Sequence, residues 1–179
     1  MSTFVNILTL SRIVLAALIF ILLMSPDRYF LALALFFLAG ITDYFDGYFA
    51  RKYNSTSQLG EILDPIADKI LILFVLFGLA INLSSYLIGF IGATIITREI
   101  WVGALRDLNA RKGNSDATKV TFLAKIKTTI QLFTLSVYLF GLAINNMLII
   151  IIADIFLFIS FFITLYTGLI YSLNTFNLK

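Results

Sequence analysis

Six long apolar runs, each separated from the next by a short polar segment, decide what this chain can become. They lie near 5–24, 28–50, 61–83, 85–105, 120–143 and 146–174. The separators are SPDR at 25–28, RKYNSTSQLG at 51–60, NLSS at 82–85, RDLNARKGNSDATK at 106–119 and INN at 144–146. Each run matches or approaches the ~20 residues that a helix rising 1.5 Å per residue needs to cross ~30 Å of hydrocarbon. Composition agrees, with 60% hydrophobic residues and only 13% charged ones. The expected fold is all-α: a polytopic integral membrane protein of six transmembrane helices, with residues 1–179 as one domain. The last run exceeds what a span requires and has room to tilt. The first run carries Arg12 and lacks a small-residue cleavage site, so it reads as a span and not as a cleavable signal.

Lys and Arg set the orientation. With an even number of spans, both termini lie on one side. If that side is the cytoplasm, Arg51, Lys52, Arg106, Arg111, Lys112, Lys119 and Lys179 are cytoplasmic, and the opposite side carries only Arg28. That asymmetry follows the positive-inside rule. The expected location is a bacterial inner membrane, and nothing in the pattern calls for nucleic acid.

The chain has no Cys and no His. Thiolate chemistry, disulfides and imidazole bases are excluded, so a general base must be a carboxylate, Lys or Tyr. Against that background the stretch from Asp43 to Asp68, DYFDGYFARKYNSTSQLGEILDPIAD, is dense in chemistry. Asp43 and Asp46 are three residues apart and Asp64 and Asp68 four, so each pair shares one helix face. Two helices would thereby aim four carboxylates at a common point near the cytoplasmic face. Such groups repel one another unless cations lie between them. All-oxygen donors suit Mg²⁺ or Mn²⁺ rather than Zn²⁺, and four acids suit two ions. Arg51 is either a two-point phosphate ligand or an interfacial anchor beside Lys52. Gly47 and Gly60 permit close approach of a ligand or of a neighbouring helix. Pro65 suits an early helical position. Further on, Arg98 and Glu99 fall inside the fourth run, which marks Arg98 for a purpose within the bundle. A pair between these two neighbours is weakened by their ~100° separation around a helix. Lys125 and Lys127 open the fifth run, either as ligands or as anchors. Asp154, in the sixth run, suits an inter-helix or capping hydrogen bond.

Asp43-x2-Asp46-Gly47-x2-Ala50-Arg51-x8-Gly60-x3-Asp64-x3-Asp68 resembles the signature of the CDP-alcohol phosphotransferases at each fixed position. The six-span pattern is similar to that family over nearly the whole chain. The resemblance implies transfer of a substituted phosphate from a CDP-linked donor to an alcohol, with release of CMP. It implies that the acids hold two divalent ions, with Asp43, Asp46 and Asp64 as principal ligands and Asp68 a ligand, the catalytic base, or both. Gly47, Ala50, Arg51 and Gly60 would line the donor pocket. The segment NILTLSR resembles the start of family members, and Asn6, Thr9 and Arg12, spaced by three, would face the same cavity.

TREIWVGALRDLNARKG followed by AKIKTTIQ is similar to those members whose acceptor is glycerol 3-phosphate. On that likeness Arg98, Lys125, Arg106 and, second in rank, Lys127 would bind the acceptor phosphate. The donor would be CDP-diacylglycerol, the product phosphatidylglycerophosphate, and the assembly a homodimer among membrane lipids. Ala124 replaces the glycine usual before the first of these lysines, and Val5 stands where a proline or polar residue is common. Two alternatives within the family use phosphatidylglycerol or inositol phosphate as acceptor. A divalent cation transporter is the alternative of another class, since embedded carboxylates also line ion paths.

Overall fold

A computed structural model of the chain describes residues 2–53, 58–119 and 121–176, with side chains for all of these except 2–6, 46–53, 58, 59, 61, 62 and 115. Six long helices account for most of it: α1 (Ser2–Leu23), α2 (Tyr29–Tyr53), α3 (Gln58–Asn82), α4 (Tyr86–Arg111), α5 (Phe122–Ala143) and α6 (Met147–Phe176). They reproduce the six apolar runs to within a few residues. No strand occurs among the described residues. Backbone groups in hydrocarbon must be satisfied within their own segment, and a helix is the local solution.

The breaks have local causes. Pro26 follows Ser25, whose extended backbone ends the first helical path and admits a short 3-10 turn at Pro26–Arg28. Ser85 caps α4 by accepting a hydrogen bond from Ile88 N at 3.3 Å, and Thr121 caps α5 by accepting one from Ala124 N. Ser84 and Asn145 take left-handed backbone conformations, with φ of 49° and 51°, to reverse the chain between α3 and α4 and between α5 and α6. The second reversal is tight. A Cβ on Gly141 would come within 3.0 Å of Ile150 Cγ1 and 3.3 Å of its backbone nitrogen, so a larger residue would crowd the closure of α5 on α6. Pro65 departs from expectation. It is the eighth residue of α3, inside the helix rather than in its first turn.

α1 packs against α2 and α3, α5 against α6 and α2, and α4 bridges α3 and α6. Between them lies one apolar core to which all six helices contribute, including Ile19, Phe36, Val75, Ile91, Leu139 and Leu157. The outward faces are apolar too. Ile7, Val14 and Ile21 on α1, and Ile155, Phe162 and Leu169 on α6, recur every seven residues, all more than half exposed. A surface of this kind would associate in water and is solvated by lipid tails. Among the described residues four segments are long and apolar enough to cross a membrane: Pro26–Phe45, Tyr86–Arg111, Asp116–Ala143 and Met147–Phe176. α1 adds a shorter apolar stretch, Ile7–Leu23. α3 is 25 residues long, and Glu61, Asp64, Asp68 and Lys69 load its first half with charge. The fold is that of an integral membrane protein.

Candidate active site

Alternation of helix direction brings the start of α1, the end of α2, the start of α3, the end of α4, the start of α5 and the end of α6 to one side of the bundle. The chain's chemistry collects there in two adjoining clusters.

The first surrounds Arg12. Its side chain is only 1% exposed, and its guanidinium is shared by three carboxylates. Nη1 donates to Asp43 Oδ1 and, at 2.6 Å, to Asp68 Oδ1. Nη2 donates to Asp64 Oδ1 at 3.3 Å, an oxygen that also accepts a 2.7 Å hydrogen bond from the buried Thr9 hydroxyl. Thr9 and Arg12 are three apart on α1 and Asp64 and Asp68 four apart on α3, so the spacings do bring each pair to one face. The arginine is walled in, whereas the carboxylates are about half exposed, at 54%, 45% and 52%. Among the described residues no set of acids meets at a common metal point, because the three meet at the guanidinium. The donor chemistry nevertheless suits cations: three carboxylates from two helices face one guanidinium, which leaves two formal negative charges over. Asp46, Gly47, Ala50 and Arg51 lie on α2 and Asn6 on α1, with side chains outside the described ones. Gly60 is buried near the start of α3.

The second cluster inverts that pattern, since two buried cations share one carboxylate. Glu99 Oε1 accepts from Arg98 Nη1 at 2.9 Å and from Lys127 Nζ. The pair that helix geometry made weak therefore forms: the flexible arginine stem carries the guanidinium back to its neighbour. The rest of Arg98 is engaged by α6. Nε donates to Thr164 O at 3.1 Å and Nη2 to Thr167 Oγ1 at 2.8 Å. Gly168 makes this lodging possible, because a Cβ there would lie 3.0 Å from Arg98 Cγ. Gln131 on α5 donates to Thr164 Oγ1 at 3.2 Å, tying the third helix in. The ring of Tyr171 lies 5.7 Å from the guanidinium carbons of both Arg98 and Arg106, within cation–π range. Its hydroxyl accepts from Thr121 N at the start of α5.

The clusters adjoin across a cavity of about 160 Å³ lined by Asp68, Lys69, Glu99, Lys127 and Gln131, among others. Asp68 thus belongs to both, with one oxygen on Arg12 and its side chain on the cavity wall. Of the residues expected to bind an acceptor phosphate, Lys127 reaches this cavity, and Lys125 is exposed and does not line it. The structure thus turns Lys127, and not Lys125, to the cavity. Arg98, on α4, does not line the cavity and is held against α6, and Arg106 lies over Tyr171 on the exposed side. Sequence reasoning overlooked Lys69, Gln131 and the α6 seam. The seam had a signal: Ser160, Thr164, Thr167, Tyr171 and Thr175 form one stripe with steps of four, three, four and four, and all five are buried. Asp154 meets its expectation by accepting a hydrogen bond from Tyr138 OH between α5 and α6, away from both clusters.

A family model described as CDP-alcohol phosphatidyltransferase matches residues 2–168. Over 133 residues the chain is 34% identical to the CDP-diacylglycerol–glycerol-3-phosphate 3-phosphatidyltransferase of Escherichia coli (strain K12), covering 73% of each chain. Proteins of the same name from Shigella flexneri serotype 5b and Shigella sonnei show the same identity and coverage.

Proposed function

The chain belongs to the CDP-alcohol phosphatidyltransferase family, and from that premise we propose that it transfers the phosphatidyl group of CDP-diacylglycerol to glycerol 3-phosphate, releasing CMP and phosphatidylglycerophosphate. One observation carries the reading: Asp68, from the acid-rich cluster, and Lys127, from the cation-rich one, face the same small cavity. A phosphorylated alcohol held there has its phosphate at the cations and its hydroxyl at the carboxylate.

Asp43, Asp64 and Asp68, with Asp46 on the same turn of α2 as Asp43, would hold divalent ions, Mg²⁺ or Mn²⁺ and two in number. Such ions, held there, would supply positive charge against the pyrophosphate of the donor and its phosphoryl group. The remaining work falls to the chain itself. Asp68 accepts the proton of the acceptor hydroxyl, the role left to a carboxylate in a chain without His. Thr9 fixes the rotamer of Asp64 through its 2.7 Å bond. Lys127 binds the acceptor phosphate by charge-assisted hydrogen bonds, and Arg98, pinned by α6, holds Glu99 so that the lysine is presented to the cavity. Arg106 guards the exposed approach. Asn6, Gly47, Ala50, Arg51 and Gly60 would receive the CDP moiety. The diacylglycerol tails of the donor stay in the inner leaflet, beside the apolar outward faces.

A cavity of about 160 Å³ between helices suits a small phosphorylated alcohol better than a second diacyl lipid. The same reading places the site and both termini in the cytoplasm of a bacterium, in agreement with the Lys and Arg asymmetry, and pairs the chain as a homodimer. The test is CMP release by the purified protein from CDP-diacylglycerol micelles with Mg²⁺, offering glycerol 3-phosphate, inositol phosphate, phosphatidylglycerol and glycerol separately. Release with glycerol 3-phosphate alone is expected. Release with another acceptor keeps the chemistry and overturns the acceptor. Ion flux without CMP release would move the chain to transport.

A further inference from the structure

Lys69 follows the catalytic carboxylate directly in sequence, and nothing in the spacing of the acids called attention to it. Adjacent positions on a helix point ~100° apart, so while Asp68 turns toward Arg12, Lys69 turns toward α4. Its ammonium comes to rest beside Gly103. A Cβ built on that glycine would lie 3.8 Å from Nζ, so the lysine lies along a stretch of α4 that carries no side chain. Lys69 lines the same cavity as Asp68 and Lys127, and Asp43 and Asp64 do not.

What separates half-buried Lys69 from the buried cations is that it feels the charge of Glu99 without a close ion pair. Arg12, Arg98 and Lys127 each hold a carboxylate within 4 Å. Among the described residues Lys69 makes no hydrogen bond and no ion pair. A half-buried ammonium between membrane helices is costly unless an anion meets it. The carboxylates nearby are already committed to Arg12, Arg98 and Lys127. An anion bound in the cavity that Lys69 shares with Lys127 and Glu99 would supply the close contact that Lys69 lacks.

We infer that Lys69 is a second cavity-facing cation for the acceptor phosphate, acting opposite Lys127 to select a phosphate monoester over an uncharged alcohol. This rests on the proposed reaction and deepens it. Two ammonium groups from different helices, α3 and α5, hold a dianion at two points. They thereby fix the reach of its hydroxyl to Asp68, one residue from Lys69 along α3. A neutral acceptor leaves both cations unanswered and is rejected for that reason.

The experiment uses the full chain in CDP-diacylglycerol micelles with Mg²⁺. Lys69→Met should raise the KM for glycerol 3-phosphate about ten-fold or more, as loss of one charge-assisted hydrogen bond does. The KM for CDP-diacylglycerol should stay within about two-fold, and Lys69→Arg should recover most of the loss. A KM change confined to the donor, or none at all, overturns the inference. A measurement on the unmutated protein covers the case in which the variants fail to fold. Acylation of Lys69 by an amine-directed reagent, read by mass spectrometry, should be slowed by glycerol 3-phosphate and by inorganic phosphate but not by glycerol. Equal labelling under all three overturns the inference. Absence of CMP release by the unmutated protein with glycerol 3-phosphate would instead defeat the underlying reaction, which separates the two failures.

Discussion

Where α1, α2 and α3 meet, three half-exposed carboxylates crowd one buried guanidinium. Where α4, α5 and α6 meet, two buried cations crowd one carboxylate that is only 18% exposed. The two clusters are charge inverses, and they differ in accessibility. The acid-rich cluster hides its cation and shows its anions, a disposition for gathering ions from outside. In the cation-rich cluster every charge is sheltered, and its specificity is built in by bonds to a helix backbone and to threonines. An acceptor that is itself an anion fits between them, with the charge it lacks on one side and the charge it repels on the other. The surplus of acid on one wall and of base on the other would also orient an acceptor bound there. Reversing it would set phosphate against carboxylates.

The largest effects should come from the acid side. Chelating divalent ions with excess EDTA should abolish CMP release, and activity that persists would break the cation-gathering reading of that cluster. Asp68→Asn should lower turnover by about 10²-fold or more, measured in protein whose thermal unfolding matches the parent. Turnover near normal would take the base away from the wall shared by the two clusters.

The acid cluster was the more legible of the two, for a physical reason. Its members occur at helical spacing within one stretch, Asp43 to Asp68, so periodicity alone puts each pair on a face. What periodicity does not encode is the partner across the bundle. Arg12 lies 31 residues from Asp43 and 56 from Asp68, and only packing brings it between them. In the second cluster the binding partners of Arg98 lie 66 and 69 residues away on α6, and they are threonines, which a hydropathy reading passes over as weakly polar. The spacing argument also misjudged Arg98 and Glu99. It located the Cβ atoms correctly and ignored the length of the arginine stem, along which the charge travels back to its neighbour. Helix number and turns were legible because they depend on run length and on local breakers such as Pro26, and neither needs knowledge of the tertiary fold.

Effects on the cation side should be smaller and should divide by where each charge is anchored. Lys127→Met removes a cation that faces the cavity, so the KM for glycerol 3-phosphate should rise about ten-fold with little change in that for the donor. Arg98→Ala should behave differently, because all three of its donor nitrogens are satisfied by the protein. It should lower stability by about 2 kcal/mol, read as a lower thermal midpoint in detergent, as well as raise the acceptor KM. A pure KM effect with unchanged stability would show that Arg98 leaves its α6 partners to meet the substrate. A stability loss alone would make it scaffold only. Tyr138→Phe serves as the reference for a polar bond outside both clusters. Removing its hydrogen bond to Asp154 should cost about 1 kcal/mol of stability and leave both KM values unchanged. A change in turnover there would mean that the two clusters are coupled to the far end of the bundle.

The smallest effect should be that of Lys125→Ala. Lys125 and Lys127 are two residues apart at the start of α5, and the sequence offers no way to rank them except by resemblance. On a helix, two residues apart means ~200° apart, so the pair cannot serve one site from one face. Burial decides which of them turns inward. Lys127 is 4% exposed and bonded to Glu99, whereas Lys125 is exposed and lies outside the cavity. A charge held in solvent near a membrane surface contributes through the general potential, which salt screens over ~8–10 Å. Replacing it should therefore change the acceptor KM by no more than about two-fold, and that change should vanish as ionic strength rises. A ten-fold, salt-insensitive rise for Lys125→Ala, with Lys127→Met silent, would mean that α5 is rotated by half a turn in the working enzyme, and the cation-rich cluster would have to be rebuilt around the other face of that helix.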